Sequence, residues 1–115
     1  PHFLQTGDCL AQQVGAELLE QMGSASTQRF MKRALTEAEV IVGDLLENGA
    51  TPDSRRQLHA ATGACGLTGL SRAEKVLRAL ELRLEEDREL NRDHLEDARS
   101  LLEATRHAIE ELALA

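Results

Sequence analysis

The chain has almost no aromatic residues. Its 115 positions hold two phenylalanines, Phe3 and Phe30, with no tryptophan and no tyrosine. Strands draw on aromatic and β-branched side chains, so their scarcity turns the reading toward helices. Leu, Ala, Glu, Arg and Gln fill the space instead, and these are helix formers. Proline is equally scarce: Pro1 and Pro52 are the only two, so helices between them can run unbroken. The two cysteines, Cys9 and Cys65, have neither metal-site nor disulfide-framework spacing, which implies a reduced, cytoplasmic setting. Positive charge is in deficit. Thirteen Lys and Arg against 20 Asp and Glu leave a net charge of −7. Nucleic-acid binding rests on neutralising phosphates, and an acidic chain with no basic run is not built for it. No apolar run approaches the roughly 18 residues of a membrane span, so no direct membrane contact is expected of this piece. It opens on Pro1 without a methionine or a signal-peptide pattern and reads as part of a longer protein.

What is present is periodic. Hydrophobic residues make up 42% and charged residues 29%, enough for a single globular domain over residues 1–115, with 1–7 as a tail. Five helical segments are expected. The first covers about residues 9–22, with Leu10, Val14, Leu18 and Met22 on one face. The stretch MGSAS ends it. The second covers about 27–48, with Phe30, Met31, Ala34, Leu35, Ala38, Ile41, Val42 and Leu45 as its apolar stripe, and Asn48-Gly49 stops it. In the third, Thr51 is the expected N-cap, Pro52 the first helical residue and Asp53 a complement to the helix dipole. It carries Leu58, Ala61 and Cys65 inward and ends near Thr68 or Gly69. The fourth opens on SRAE, Ser71 to Glu74, read as a capping box, and buries Ala73, Val76, Leu77, Leu80 and Leu84. The fifth begins near Asn91 or Arg92, with Leu95, Ala98, Leu102, Thr105, Ile109 and Leu112 on its stripe. Amphipathic helices joined by short links must pack on one another. The expected fold is all-α: an antiparallel up-down four-helix bundle with an additional short N-terminal helix.

The third segment poses a question. LHAATGACGLTGL, Leu58 to Leu70, contains one histidine and three glycines, Gly63, Gly66 and Gly69. Glycine in a helix costs about 1 kcal/mol relative to alanine. With Leu58, Ala61 and Cys65 inward, His59 turns outward, and Gly63 at i+4 and Gly66 at i+7 lie on its side. Two explanations compete. The glycines let a neighbouring helix of the same chain come close, or they clear space around an imidazole so that another protein can reach it. Arg55 and Arg56 beside His59 favour the second.

HAATGACGLTGL resembles the signature of histidine-containing phosphotransfer domains: a histidine, a glycine four residues on, small residues after it and often a glycine ten residues on. His59, Gly63 and Gly69 fall on those positions, and Gly66 matches a glycine of some members. The resemblance covers residues 8–113 and extends to the helix order. It implies a phosphorelay intermediate, such as the C-terminal module of a hybrid sensor histidine kinase. His59 would be the phosphoacceptor, exchanging a phosphoryl group with the aspartate of a response-regulator receiver domain. The receiver would supply Mg²⁺; the module would need no cofactor and have no autonomous catalytic activity. Gly63, Thr62, Arg55, Arg56 and Gly66 would support the histidine or the docking. Neutral imidazole suits the task as a nucleophile near pH 7, and phosphoryl transfer asks mainly for positioning and charge stabilisation.

The family usually places Lys three residues after the histidine and often Leu two after it; here those positions are Thr62 and Ala61. Threonine offers a hydrogen bond and no charge. The rival expectation is a structural or adaptor bundle, or a degenerate phosphotransfer domain that binds receivers without being phosphorylated. His94 and His107 read as surface residues, His2 as part of the tail, and Cys65 as a small core residue. ELRLEEDRELNRDHLED, from Glu81, reads as a solvated charged face and turn. If Arg55 or Arg56 supplies the missing cation, replacing both with alanine shortens the lifetime of phosphohistidine and slows transfer. Unchanged values in a decay assay on labelled protein exclude the substitution.

Overall fold

The computed structural model describes residues 12–86 and 89–114, with side chains over 25–86 and 89–112. Four helices account for it: α1 (Gln12–Asn48), α2 (Ser54–Leu67), α3 (Ser71–Glu85) and α4 (Arg92–Leu114). No strand occurs among the described residues. The chain is all-helical, as expected.

The expected separate first helix is not a separate element. α1 runs for 37 residues straight through MGSAS. Gly23, Ser24 and Ser26 are weak helix formers, but none removes a backbone donor as proline does, and the helix absorbs them. Cys9 and the start of that segment lie outside the described residues.

One core gathers the inward residues of all four helices. Leu35, Val42, Leu58, Leu77, Leu102 and Ile109 are fully buried within it. Each such side chain contributes about 1.5–3 kcal/mol through the water it sheds. α2 packs against α3 and α1 against α4, α1 also meets α2, and α3 touches α4 more lightly. Polar ties hold α1 to α4: Gln28 Nε2 donates to the Ile109 carbonyl at 3.1 Å, and Arg106 grips the Glu39 carboxylate and donates to Thr36 Oγ1 at 3.2 Å. Phe30 departs from its stripe. It is 51% exposed, and Met31 beside it takes the buried place.

Helix ends explain how α2 is held. α1 stops at Gly49, whose φ of +76° lets its N–H turn back to the Leu45 carbonyl at 3.1 Å. α2 begins at Ser54, three residues later than the expected cap at Thr51. The two residues work as a pair: the Thr51 N–H donates to Ser54 Oγ at 2.8 Å and the Ser54 N–H to the Thr51 carbonyl at 3.1 Å. Asp53 makes no side-chain cap and pairs with Arg56 instead. At the far end, Leu70 N–H reaches the Cys65 carbonyl at 2.9 Å and Gly69 N–H the Gly66 carbonyl at 3.3 Å. That is a Schellman closure with Gly69 at φ +82°. α3 follows at once. Ser71 is its first helical residue and not its cap, so the capping box does not form; Glu74 turns to Arg78 at 2.7 Å. Asn91 does cap α4, its Oδ1 accepting from the Asp93 N–H at 2.7 Å.

Gly69→Ala tests the Schellman closure. An L-residue in that left-handed conformation costs about 1–2 kcal/mol, so the urea midpoint of the variant falls with an unchanged slope.

Candidate functional site

α2 has two unlike sides. Leu58, Ala61, Thr62 and Cys65 are buried, while Arg55, Arg56, His59, Ala60 and Gly63 are exposed. This is the 3.6-residue period at work: a helix in contact with two neighbours keeps one stripe dry and leaves the other in water. The His59 side chain is 79% exposed.

It is exposed but not loose. His59 Nδ1 lies 2.7 Å from Glu81 Oε1 on α3, and the Glu81 side chain is only 9% exposed. A carboxylate only accepts hydrogen bonds, so Nδ1 carries the proton and the lone pair of neutral imidazole resides on Nε2. No hydrogen bond engages Nε2 among the described residues. Glu81 belongs to the stretch expected to be a solvated face. Its inward place has a sequence signal that went unread: it follows the buried Leu77 by four residues, on the same side of α3.

Pro52, Arg55, Arg56, His59, Glu81 and Glu85 line one recess of about 420 Å³. The two arginines are unequally held there. Arg56 makes two 2.7 Å bonds to Asp53, and this pairing holds the Asp53 carboxyl below its usual range. Arg55 makes a single longer contact, 3.4 Å from Nε to Glu85 Oε1. Thr62 is turned away from the recess; it is buried, and its hydroxyl donates to the Leu58 carbonyl at 2.7 Å.

The glycines divide between the two explanations. A Cβ at Gly63 would meet nothing within 4 Å, so no neighbouring helix requires that glycine. A Cβ at Gly66 would sit 2.6 Å from Glu74 Oε2, the end of a flexible α3 side chain that would have to swing aside. Gly69 lies outside both explanations, as the turn that ends the helix.

Exposed apolar side chains, interspersed with charged ones, flank α2 on its α1 side. Leu67 on α2 is 79% exposed, Val40 on α1 66% and Phe30 51%, and recesses between α1 and α2 lie among them. Cys65 is buried beneath this surface, and its thiol is pushed up to about 12, chiefly by burial and then by Glu37 and Glu74. It is no nucleophile at neutral pH. His94, in the first turn of α4, and His107, further along it, are both exposed. No group of three metal-ligating side chains occurs among the described residues, and no described helix is long and apolar enough to cross a membrane. Compared with known proteins, the chain matches no family model, no curated protein and no solved structure.

Gly63 carries the full conformational penalty of a helical glycine with no packing in return. Gly63→Ala therefore raises unfolding stability, by about 0.5–1 kcal/mol in urea titration. A loss of stability would mean that a neighbour does need the bare position.

Proposed function

We propose that the chain is a histidine phosphotransfer module. His59 Nε2 accepts a phosphoryl group and returns it to the aspartate of a receiver domain. The observation that carries this reading is the exposed ring held at Nδ1 by the nearly buried Glu81. A surface histidine without a task does not need a fixed tautomer, and a nucleophile that must meet an outside electrophile needs both exposure and orientation.

The proposed arrangement is an up-down four-helix bundle, in which α2 presents the histidine to solvent. Its support is the order of contacts: Arg55, His59 and Gly66 ascend α2 while Glu85, Glu81 and Glu74 descend α3. The receiver brings Mg²⁺ and its own acidic pocket, so the module contributes the imidazole and a docking surface. Leu67, Val40 and Phe30, with the small residues Ala60, Gly63 and Ala64, form the contact core, and charged residues form the rim. Gly63 lets the partner's backbone approach the ring. Of the two arginines, Arg55 is the cation available to the phosphoryl oxygens, because its present contact is single and long.

The test is direct. Incubated with phosphorylated receiver domains and Mg²⁺, the chain acquires phosphate that is labile in acid and stable in base, and His59→Gln acquires none. Leu67→Asp lowers the transfer rate about tenfold or more, since a charge in a docking core is left without water or partner. It leaves labelling by phosphoramidate, a small donor that needs no docking, unchanged. A wild-type chain that stays unlabelled by every donor removes the reading and leaves the adaptor bundle.

A further inference from the structure

Glu81 fixes which nitrogen attacks, and the same contact has a consequence after the attack. Building on the phosphotransfer reading, we propose that Glu81 is a positioning residue that makes phosphorylated His59 a transient donor instead of a store, by keeping a proton on Nδ1 of the phosphorylated ring.

The electron count runs this way. In the free chain Nδ1–H donates to Glu81 Oε1 and Nε2 holds a lone pair. When Nε2 attacks phosphorus, the Nε2–P bond forms, the P–O bond to the donor carboxylate breaks, and that oxygen leaves with its electron pair. The ring is now cationic and still protonated at Nδ1. On transfer to the next carboxylate, a new P–O bond forms and the P–N electrons return to Nε2. The leaving group is neutral imidazole. No proton enters or leaves in either direction.

A phosphorylated ring that had lost its Nδ1 proton would have to depart as imidazolate, a far poorer leaving group. That difference is why phosphohistidine decays in acid and persists in base. Glu81 supplies the acid condition locally, with a carboxylate 2.7 Å from the nitrogen that must stay protonated. Little water competes for that carboxylate, because its side chain is 9% exposed. The other charged groups facing the ring are Arg55 and Arg56 on α2 and Glu85 on α3. Arg55 is in contact with Glu85, and Arg56 is held by Asp53. In the free chain the two guanidiniums are thus matched by two carboxylates, and Glu81 is the carboxylate in direct contact with the ring.

Phosphoramidate, which needs no protein partner, loads the wild type, Glu81→Gln and, as a control on α4 outside the recess, Glu96→Gln. Decay of the label is then followed at about pH 8, above the ordinary range of imidazole protonation. Glutamine keeps an acceptor for Nδ1–H and removes the charge, so it isolates the proposed effect. The label on Glu81→Gln lasts about tenfold longer, the ratio separating a charged from a neutral hydrogen-bond partner, whereas Glu96→Gln stays within about twofold of the wild type. ¹⁵N spectra of the loaded wild type at the same pH find Nδ1 protonated. Equal lifetimes in the wild type and Glu81→Gln, with the label on His59, overturn the proposal and leave the phosphotransfer reading standing. A deprotonated Nδ1 in the loaded wild type overturns it as well, without recourse to any variant. Failure of the wild type to take label overturns both.

Discussion

A carboxylate drawn out of water needs a partner, and the partner of Glu81 is an imidazole that stands mostly in water. This asymmetric contact organises the surface around it. The α2–α3 packing places Glu81 where solvent cannot serve it, and the ring of His59 closes over it at 2.7 Å. The ring gains orientation from the protein interior while its other nitrogen faces outward. An exposed side chain ordinarily samples several rotamers. Here one hydrogen bond to a nearly buried group selects among them, and does so with no second residue around the ring that would block access. Exposure and order usually oppose each other, and this arrangement reconciles them by anchoring the ring at one edge.

The packing that anchors the ring also sets the work of each glycine. Gly66 sits beneath the carboxylate end of Glu74 from α3, a flexible side chain that covers the bare position. Gly69 turns the chain out of α2 and lets α3 start with Ser71, two residues later. Without that tight return, α3 would not run back along α2 with Glu74, Glu81 and Glu85 all on the facing side. Gly63 alone has no intramolecular partner. Three glycines that look alike in the sequence thus have three different surroundings: a flexible side chain laid over the position, a left-handed turn and an empty space.

Much of this was legible in the sequence. Helices α2, α3 and α4 and their buried stripes follow from apolar spacing, because burial at a 3.6-residue period leaves a pattern that polar substitutions rarely obscure. The outward turn of His59 follows from Leu58, Ala61 and Cys65 in the same way. Local chemistry was less legible. SRAE has the letters of a capping box, yet the Schellman closure at Gly69 brings Leu70 to the cap and pulls Ser71 into the helix. MGSAS looks like a stop, yet a helix this long tolerates weak formers where nothing removes a backbone donor. Glu81 escaped because a glutamate among charges reads as solvated. Its burial is a property of the neighbouring helix, and single-chain periodicity records only which side of α3 it occupies. Phe30 misled in the opposite sense: an apolar residue at the edge of a stripe can lie on either side of the waterline.

The charges near His59 are nearly all spoken for before any ligand arrives. Arg56 is locked to Asp53 by two short bonds, whereas Arg55 leans on Glu85 through one long one. A phosphoryl group entering the recess would bring two negative charges to within a side chain's reach of both arginines, and the weaker existing contact is the one that yields. Exposed ion pairs of this kind contribute about 0–1 kcal/mol, less than a charge-assisted bond to a phosphoryl oxygen. On the proposed reading, exchange of Arg55 from Glu85 to a phosphoryl oxygen would therefore be favoured. Thr62, buried and bonded to its own helix, takes no part. On the proposed reading, the cation that would face a phosphoryl group comes from the turn before the histidine, where Glu85 holds it through one long contact.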